Sequence, residues 1–147
     1  QNMGARQPER VSKGLGQGVL VSLFMTAALC VCQLLGMELI IRAFKLDAAA
    51  AAICRQHLFA SVLSEPIFAI YFPANGMFQG VGEGFHATFY ALMALGLRVV
   101  FAYSLYRTAF FGYTAIWWSQ AMAWTLTLIN CYAHFFRGKW KEKSLVS

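Results

Sequence analysis

Four long apolar runs, at about residues 15–41, 48–80, 85–106 and 112–136, are separated by short stretches that hold most of the charge. About 20 apolar residues in helical form cross the roughly 30 Å of hydrocarbon in a bilayer. Each run meets or exceeds that length. Lipid offers the backbone no hydrogen bonds, so each run must satisfy its own polar groups as a helix. The fold class expected is therefore all-α, a polytopic membrane protein with four transmembrane helices. Charged residues make up only 12% of the chain, about half of the ~25% that a soluble domain carries.

The net charge of +6 would suit a nucleic-acid partner if it lay on one face. Instead the cations gather at the ends of the apolar runs, which argues against nucleic acid and for the lipid bilayer. Four crossings put both termini on one side. That side holds Arg6, Arg10, Lys13, Arg137, Lys139, Lys141 and Lys143, while the other holds Arg42, Lys45, Arg55 and Arg107. Cytoplasmic loops are enriched in Lys and Arg, so both ends are expected in the cytoplasm. The basic tail, 137–147, would lie on the anionic inner leaflet. No secretory signal is recognisable, because the first run is too long for one.

Local signals divide the chain further. Residues 1–14 read as a polar, basic loop around Pro8-Glu9-Arg10, with no initiating Met before Gln1, which suggests a piece of a longer protein. Gly14, Gly16 and Gly18 open the first helix and suit close helix packing. Glu38 and Arg42 form an acidic-to-basic pair one turn apart. Asp47 suits a helix N-terminus. Pro66 and Pro73 should kink or partly unwind the second helix. Gly80, Gly82 and Gly84 around Glu83 make a tight turn. Trp117 and Trp118 at one level, and Tyr132 and Trp140 at the other, match interfacial aromatic belts.

No enzyme is expected. His57, His86 and His134 stand on three separate segments, without a ligand-type partner at helical spacing, and no nucleophile elbow or phosphate loop is present. Cys30 and Cys32 point about 200° apart on a helix and cannot share a metal. All four cysteines read as small buried hydrophobes, so neither metal nor cofactor is called for. The intramembrane polar residues are more informative. Glu65, beside Pro66, is placed roughly 18 Å below the outer surface, and Arg98 about 12 Å below the same surface on the next, antiparallel helix. An arginine side chain spans that offset, so a Glu65–Arg98 pair is one expectation. Such a pair would be structural, whereas a Glu65 that binds a proton or cation would be functional. Asn75 and Gln79, four residues apart on one face, either coordinate a cation or bond to a neighbouring helix.

Taken in order, these segments carry a resemblance. Gln1-Asn2-Met3-Gly4-Ala5, followed by Pro8-Glu9-Arg10, resembles the G-Q-N-x-G-A loop motif of multidrug and toxic compound extrusion (MATE) transporters. Pro66, then Gly76-Met77-Phe78-Gln79-Gly80-Val81-Gly82-Glu83, is similar to that family's kinked tenth helix and its G-x-x-Q-G-x-G-D turn. Gly96-Leu97-Arg98 with Tyr103 resembles the eleventh helix, and Gly112 through Trp117-Trp118 to Phe136-Arg137-Gly138-Lys139-Trp140 the twelfth. The turn reads Gly82-Glu83-Gly84 where the family usually has Gly-Asp-Thr.

The resemblance implies four helices of a six-helix lobe in a twelve-helix transporter of the cell membrane, partnered by the remaining lobe. It implies cation-coupled export of drugs and organic cations, driven by H+ or Na+, by alternating access. Glu65, Asn75, Gln79 and Arg98 would then line or brace the pathway. Two other readings are a flippase-like relative that moves lipid-linked oligosaccharides, and a four-helix membrane protein that only assembles with partners.

Overall fold

A computed structural model describes residues 2–142, the side chain of Glu142 excepted. Gln1 and the end of the basic tail, 143–147, lie outside the described residues. Four helices follow one another: α1 (Pro8–Ala43), α2 (Ala48–Gly80), α3 (Gly84–Tyr106) and α4 (Ala115–Arg137). Short 3-10 turns at Gly112–Thr114 and Lys139–Glu142 precede and follow α4. Connections this short make consecutive helices antiparallel neighbours.

Most boundaries follow from local chemistry. Asp47 accepts a hydrogen bond from the Ala50 amide at 2.8 Å and so caps α2. At the other end of α2 the Glu83 amide reaches back to the Phe78 carbonyl at 2.8 Å, and the Gly82 amide to Gln79 at 3.2 Å. That is the Schellman closure, and it requires a residue with positive φ. Gly82 supplies it at φ 82°. Gly138 does the same after α4, at φ 73°.

Three expectations need correction here. Residues 8–14 are not loop, because α1 begins at Pro8. A proline at the first helical position loses no hydrogen bond, and Glu9 behind it favours a helix N-terminus. Secondly, α2 is not unwound at the prolines but stays helical through Pro66 and Pro73. Finally, α1, α2 and α3 are long and apolar enough to cross a membrane, but α4 is not among them. At 23 residues it has the length, but Ser119, Gln120, Thr125, Thr127, Asn130 and His134 lower its apolar content. Four of these return hydrogen bonds to carbonyls three or four residues back, at 2.7–2.9 Å, which offsets much of their polarity.

Helix α2 packs against all three others, while α1 lies chiefly on α2, and α3 on α4. Small side chains fill the seams, with Ala51, Ala60, Ala69, Ala74, Ala94 and Ala123 all buried, as expected where membrane helices approach closely. Among the glycines of α1, Gly18 is the one that faces α2 at contact distance, where a Cβ would stand 3.7 Å from Pro73 Cβ. That is ordinary contact, so Gly18→Ala should be tolerated. Gly18→Leu should force α1 away and cost about 1–3 kcal/mol. Thermal unfolding of the two variants checks this, and equal midpoints would refute the close contact. Gly14 and Gly16 meet nothing within 4 Å, so the packing role expected of the cluster belongs to Gly18 alone.

The continuous core sits at the end of the bundle where α1 starts, α2 turns into α3, and α4 finishes. Tyr71, Phe78, Tyr90, Cys131 and Trp140 belong to it. Trp140 was expected at a lipid interface. Instead the turn after Gly138 folds it back until none of its surface is exposed, and its indole N–H donates to the Phe135 carbonyl at 3.0 Å. The last carbonyls of a helix have no partner of their own, which is why a donor arriving from beyond the C-terminus is held there. Glu38 also departs from expectation. It pairs with Arg55 of α2 at 2.7 Å, through two guanidinium nitrogens, rather than with Arg42. The fork geometry of Arg favours such a two-point grip.

Candidate functional site

Two polar constellations stand out against the apolar bundle, one halfway along α2 and one at its final turn. The first is built around Glu65. Proline at position 66 has no N–H, so the carbonyl four residues earlier, that of Val62, loses its helical donor. The thiol of Cys30, on α1, stands 3.9 Å from that carbonyl and 3.1 Å from Glu65 Oε2. Gln33, three residues further along α1, donates to Glu65 Oε1 at 2.6 Å. The carboxylate thus bridges the α1–α2 seam with one donor on each oxygen.

Glu65 therefore does not pair with Arg98. Its partners lie on α1, whereas Arg98 is exposed on α3, and no ion pair joins the two among the described residues. A similar depth on two helices does not say which neighbour each side chain faces. Cys30 was expected to be only a small buried hydrophobe, and its thiol turns out to be a donor. Asn75 is buried and bonds to the Tyr71 hydroxyl. It also donates to the Ala87 carbonyl of α3 at 3.0 Å, while Gln79 donates to its Oδ1 at 2.8 Å. Asn75 thus ties α2 to α3, one of the two alternatives given for the pair, while Gln79 bonds along its own helix and supports Asn75.

The second constellation was not foreseen. Glu83 precedes α3, His86 lies in its first turn and His134 in the last turn of α4. Glu83 Oε2 is 3.1 Å from His134 Nε2 and 3.5 Å from His86 Nδ1. The two imidazole centroids are 4.4 Å apart. Tyr90, one turn beyond His86, places its hydroxyl 2.9 Å from His134 Nδ1. Phe78 stacks on the same imidazole at 4.9 Å. The expectation that no histidine has a ligand-type partner is corrected: Glu83 and His86 stand three residues apart, a spacing readable in sequence. His134 reaches them only because α4 closes on α2 and α3, and no local pattern announces that. His57 lies elsewhere, against Trp117 at 5.3 Å.

A groove of about 370 Å³ runs between the start of α1 and the end of α2, lined by Gly14, Gly18, Pro73 and Gly80 among others. Glu65, Asn75, Gln79 and Arg98 do not line it.

Three unbroken apolar helices and short turns make an integral, multi-pass membrane protein. Neither a curated protein nor a solved structure matches the chain. The family comparison does match, by the MatE family, over residues 1–104. That range takes in α1, α2 and nearly all of α3, including Glu65, Asn75, Gln79, Glu83 and Arg98, and leaves the resemblance of 112–140 outside it. With well over half of its length matched by that family of transporters, the chain belongs to MatE.

Proposed function

We propose that the protein is a cation-coupled exporter of drugs and organic cations, exchanging them for H+ or Na+ by alternating access. In this reading the chain forms part of a six-helix lobe of a twelve-helix transporter in the cell membrane, with both ends cytoplasmic. The remaining lobe completes the pathway.

The observation that carries the reading is Glu65, a half-buried carboxylate midway along a membrane-spanning helix. Ionisable groups at that depth are costly and are kept where charge is moved. Its two partners, a thiol and an amide, are neutral. Among the described residues no fixed cation pairs with it, so a proton or sodium ion is free to do so. Loss or gain of that ion changes what Cys30 and Gln33 bond to, and so changes the α1–α2 seam. Only a seam with two arrangements of similar energy is useful for alternating access.

The test is efflux of a fluorescent organic cation from cells or proteoliposomes, under an imposed proton or sodium gradient. Glu65→Gln keeps the shape and removes the charge. It is expected to cut coupled efflux by at least about tenfold, corresponding to ~1.4 kcal/mol of lost coupling. Efflux with unaltered rate and unaltered ion dependence would remove Glu65 from the mechanism.

A further inference from the structure

The constellation at the end of α2 is not used by the transport reading, and its geometry fits another chemistry. We infer that Glu83, His86 and His134 form a binding site for a divalent transition-metal ion of the zinc, cobalt or nickel type. Each offers one ligand atom, and the three atoms lie within 4.8 Å of one another. Ligand atoms about 2.1 Å from a metal in tetrahedral or octahedral array stand roughly 3.0–3.4 Å apart. The Glu83–His134 and Glu83–His86 separations, 3.1 and 3.5 Å, are close to that edge length.

The surroundings fit as well. A metal-bound imidazole usually has its other nitrogen held by a second group, which fixes the ring and its tautomer. Tyr90 holds His134 Nδ1 in this way, leaving Nε2 directed at Glu83. Phe78 stacks against the same ring and restricts its tilt. Glu83 and His134 are 7% and 13% exposed, whereas His86 is 44% exposed. The site is thus built from two enclosed ligands and one at the surface, which gives an ion a way in. Two imidazoles and one carboxylate select borderline transition metals over Mg²⁺ or Ca²⁺, which prefer oxygen ligands. Arg137 and Lys139 lie near enough to His134 for their charge to be felt. Their positive charge opposes a cation at this place, so binding there rests on the three direct ligands. A bound ion would join the α2–α3 turn to the end of α4.

The test uses the protein in lipid nanodiscs, prepared without a polyhistidine tag, and titrates it with Co²⁺. The expected result is saturable binding of one ion per chain, with visible ligand-field absorption that Zn²⁺ abolishes. His86→Ala and His134→Ala should each weaken binding by at least tenfold, and Tyr90→Phe by about tenfold through loss of the ring's support. His57→Ala should leave it unchanged. Helical circular dichroism identifies any variant that fails to fold. His86, at the surface, is the ligand whose removal least threatens folding, so its variant decides the case if His134→Ala collapses. Absence of saturable Co²⁺ binding, or unaltered affinity in His86→Ala, would overturn the assignment.

Discussion

Replacing Trp140 with alanine is expected to lower stability by about 3–5 kcal/mol, the range for truncating a large buried aromatic. The side chain is wholly enclosed and belongs to the same continuous core as Met3, Val81 and Cys131. It stacks on Phe135 with centroids 5.4 Å apart and planes 15° from parallel, and Lys141 lies 5.8 Å above its ring. Its N–H also serves the Phe135 carbonyl. Trp140→Phe keeps an aromatic ring on Phe135 but loses the hydrogen bond and part of the buried indole, at about 1–3 kcal/mol. Thermal unfolding in detergent, followed by circular dichroism, should therefore rank wild type, Trp140→Phe and Trp140→Ala in that order. A Trp140→Ala midpoint no lower than that of Trp140→Phe would mean that the indole belongs at the lipid surface after all.

Phe78→Ala is the second large effect, again about 3–5 kcal/mol. Phe78 is completely buried where α2, α3 and α4 meet, 6.1 Å from Tyr90 and stacked at 20° on His134. Deleting the ring opens a cavity beside the imidazole and removes what keeps it upright. Phe78→Leu fills most of the volume and should cost less than about 1.5 kcal/mol. The same unfolding measurement distinguishes them. Equal small losses in both would show that the helices close over the gap, and that the packing at this junction is not what holds α4 in place.

How far the sequence carried these conclusions depended on whether the determining contacts are local. Helix α2 was bounded at 48 and 80 from Asp47 and the Gly80–Gly82 turn, because a cap and a Schellman closure are decided within a few residues. The polar, basic character of 1–14 reads as loop, yet Pro8 and Glu9 are also residues that open helices, and α1 starts there. The misses at the sites share one cause. Rise per residue gives the level of a side chain along its helix, but not the neighbour that it faces. Glu65 and Arg98 were matched by level, and the packing of α1 on α2 turned the carboxylate toward Cys30 and Gln33. Glu38 likewise found Arg55 across the seam rather than Arg42 on its own helix. Pro66 and Pro73 left α2 helical because a proline removes one hydrogen bond, and in a bundle neighbouring helices can support the strained turn.

The shared position of α2 has a consequence for the order in which the bundle comes together. Three of its four seams, α1–α2, α2–α3 and α3–α4, join helices adjacent in the chain, and each can form as soon as its second helix has entered the membrane. The seam between α2 and α4 is different. It pairs Tyr71 with Trp124 at 4.7 Å and the Ile70 carbonyl with the Tyr132 hydroxyl at 3.4 Å, across more than fifty residues. Contacts so distant in sequence are made late, once the intervening chain is in place. The same closure carries His134 to Glu83 and His86. His134 therefore joins the two ligands of the α2–α3 turn only when assembly is complete, and full metal occupancy would record whether a given molecule had reached the end of that process.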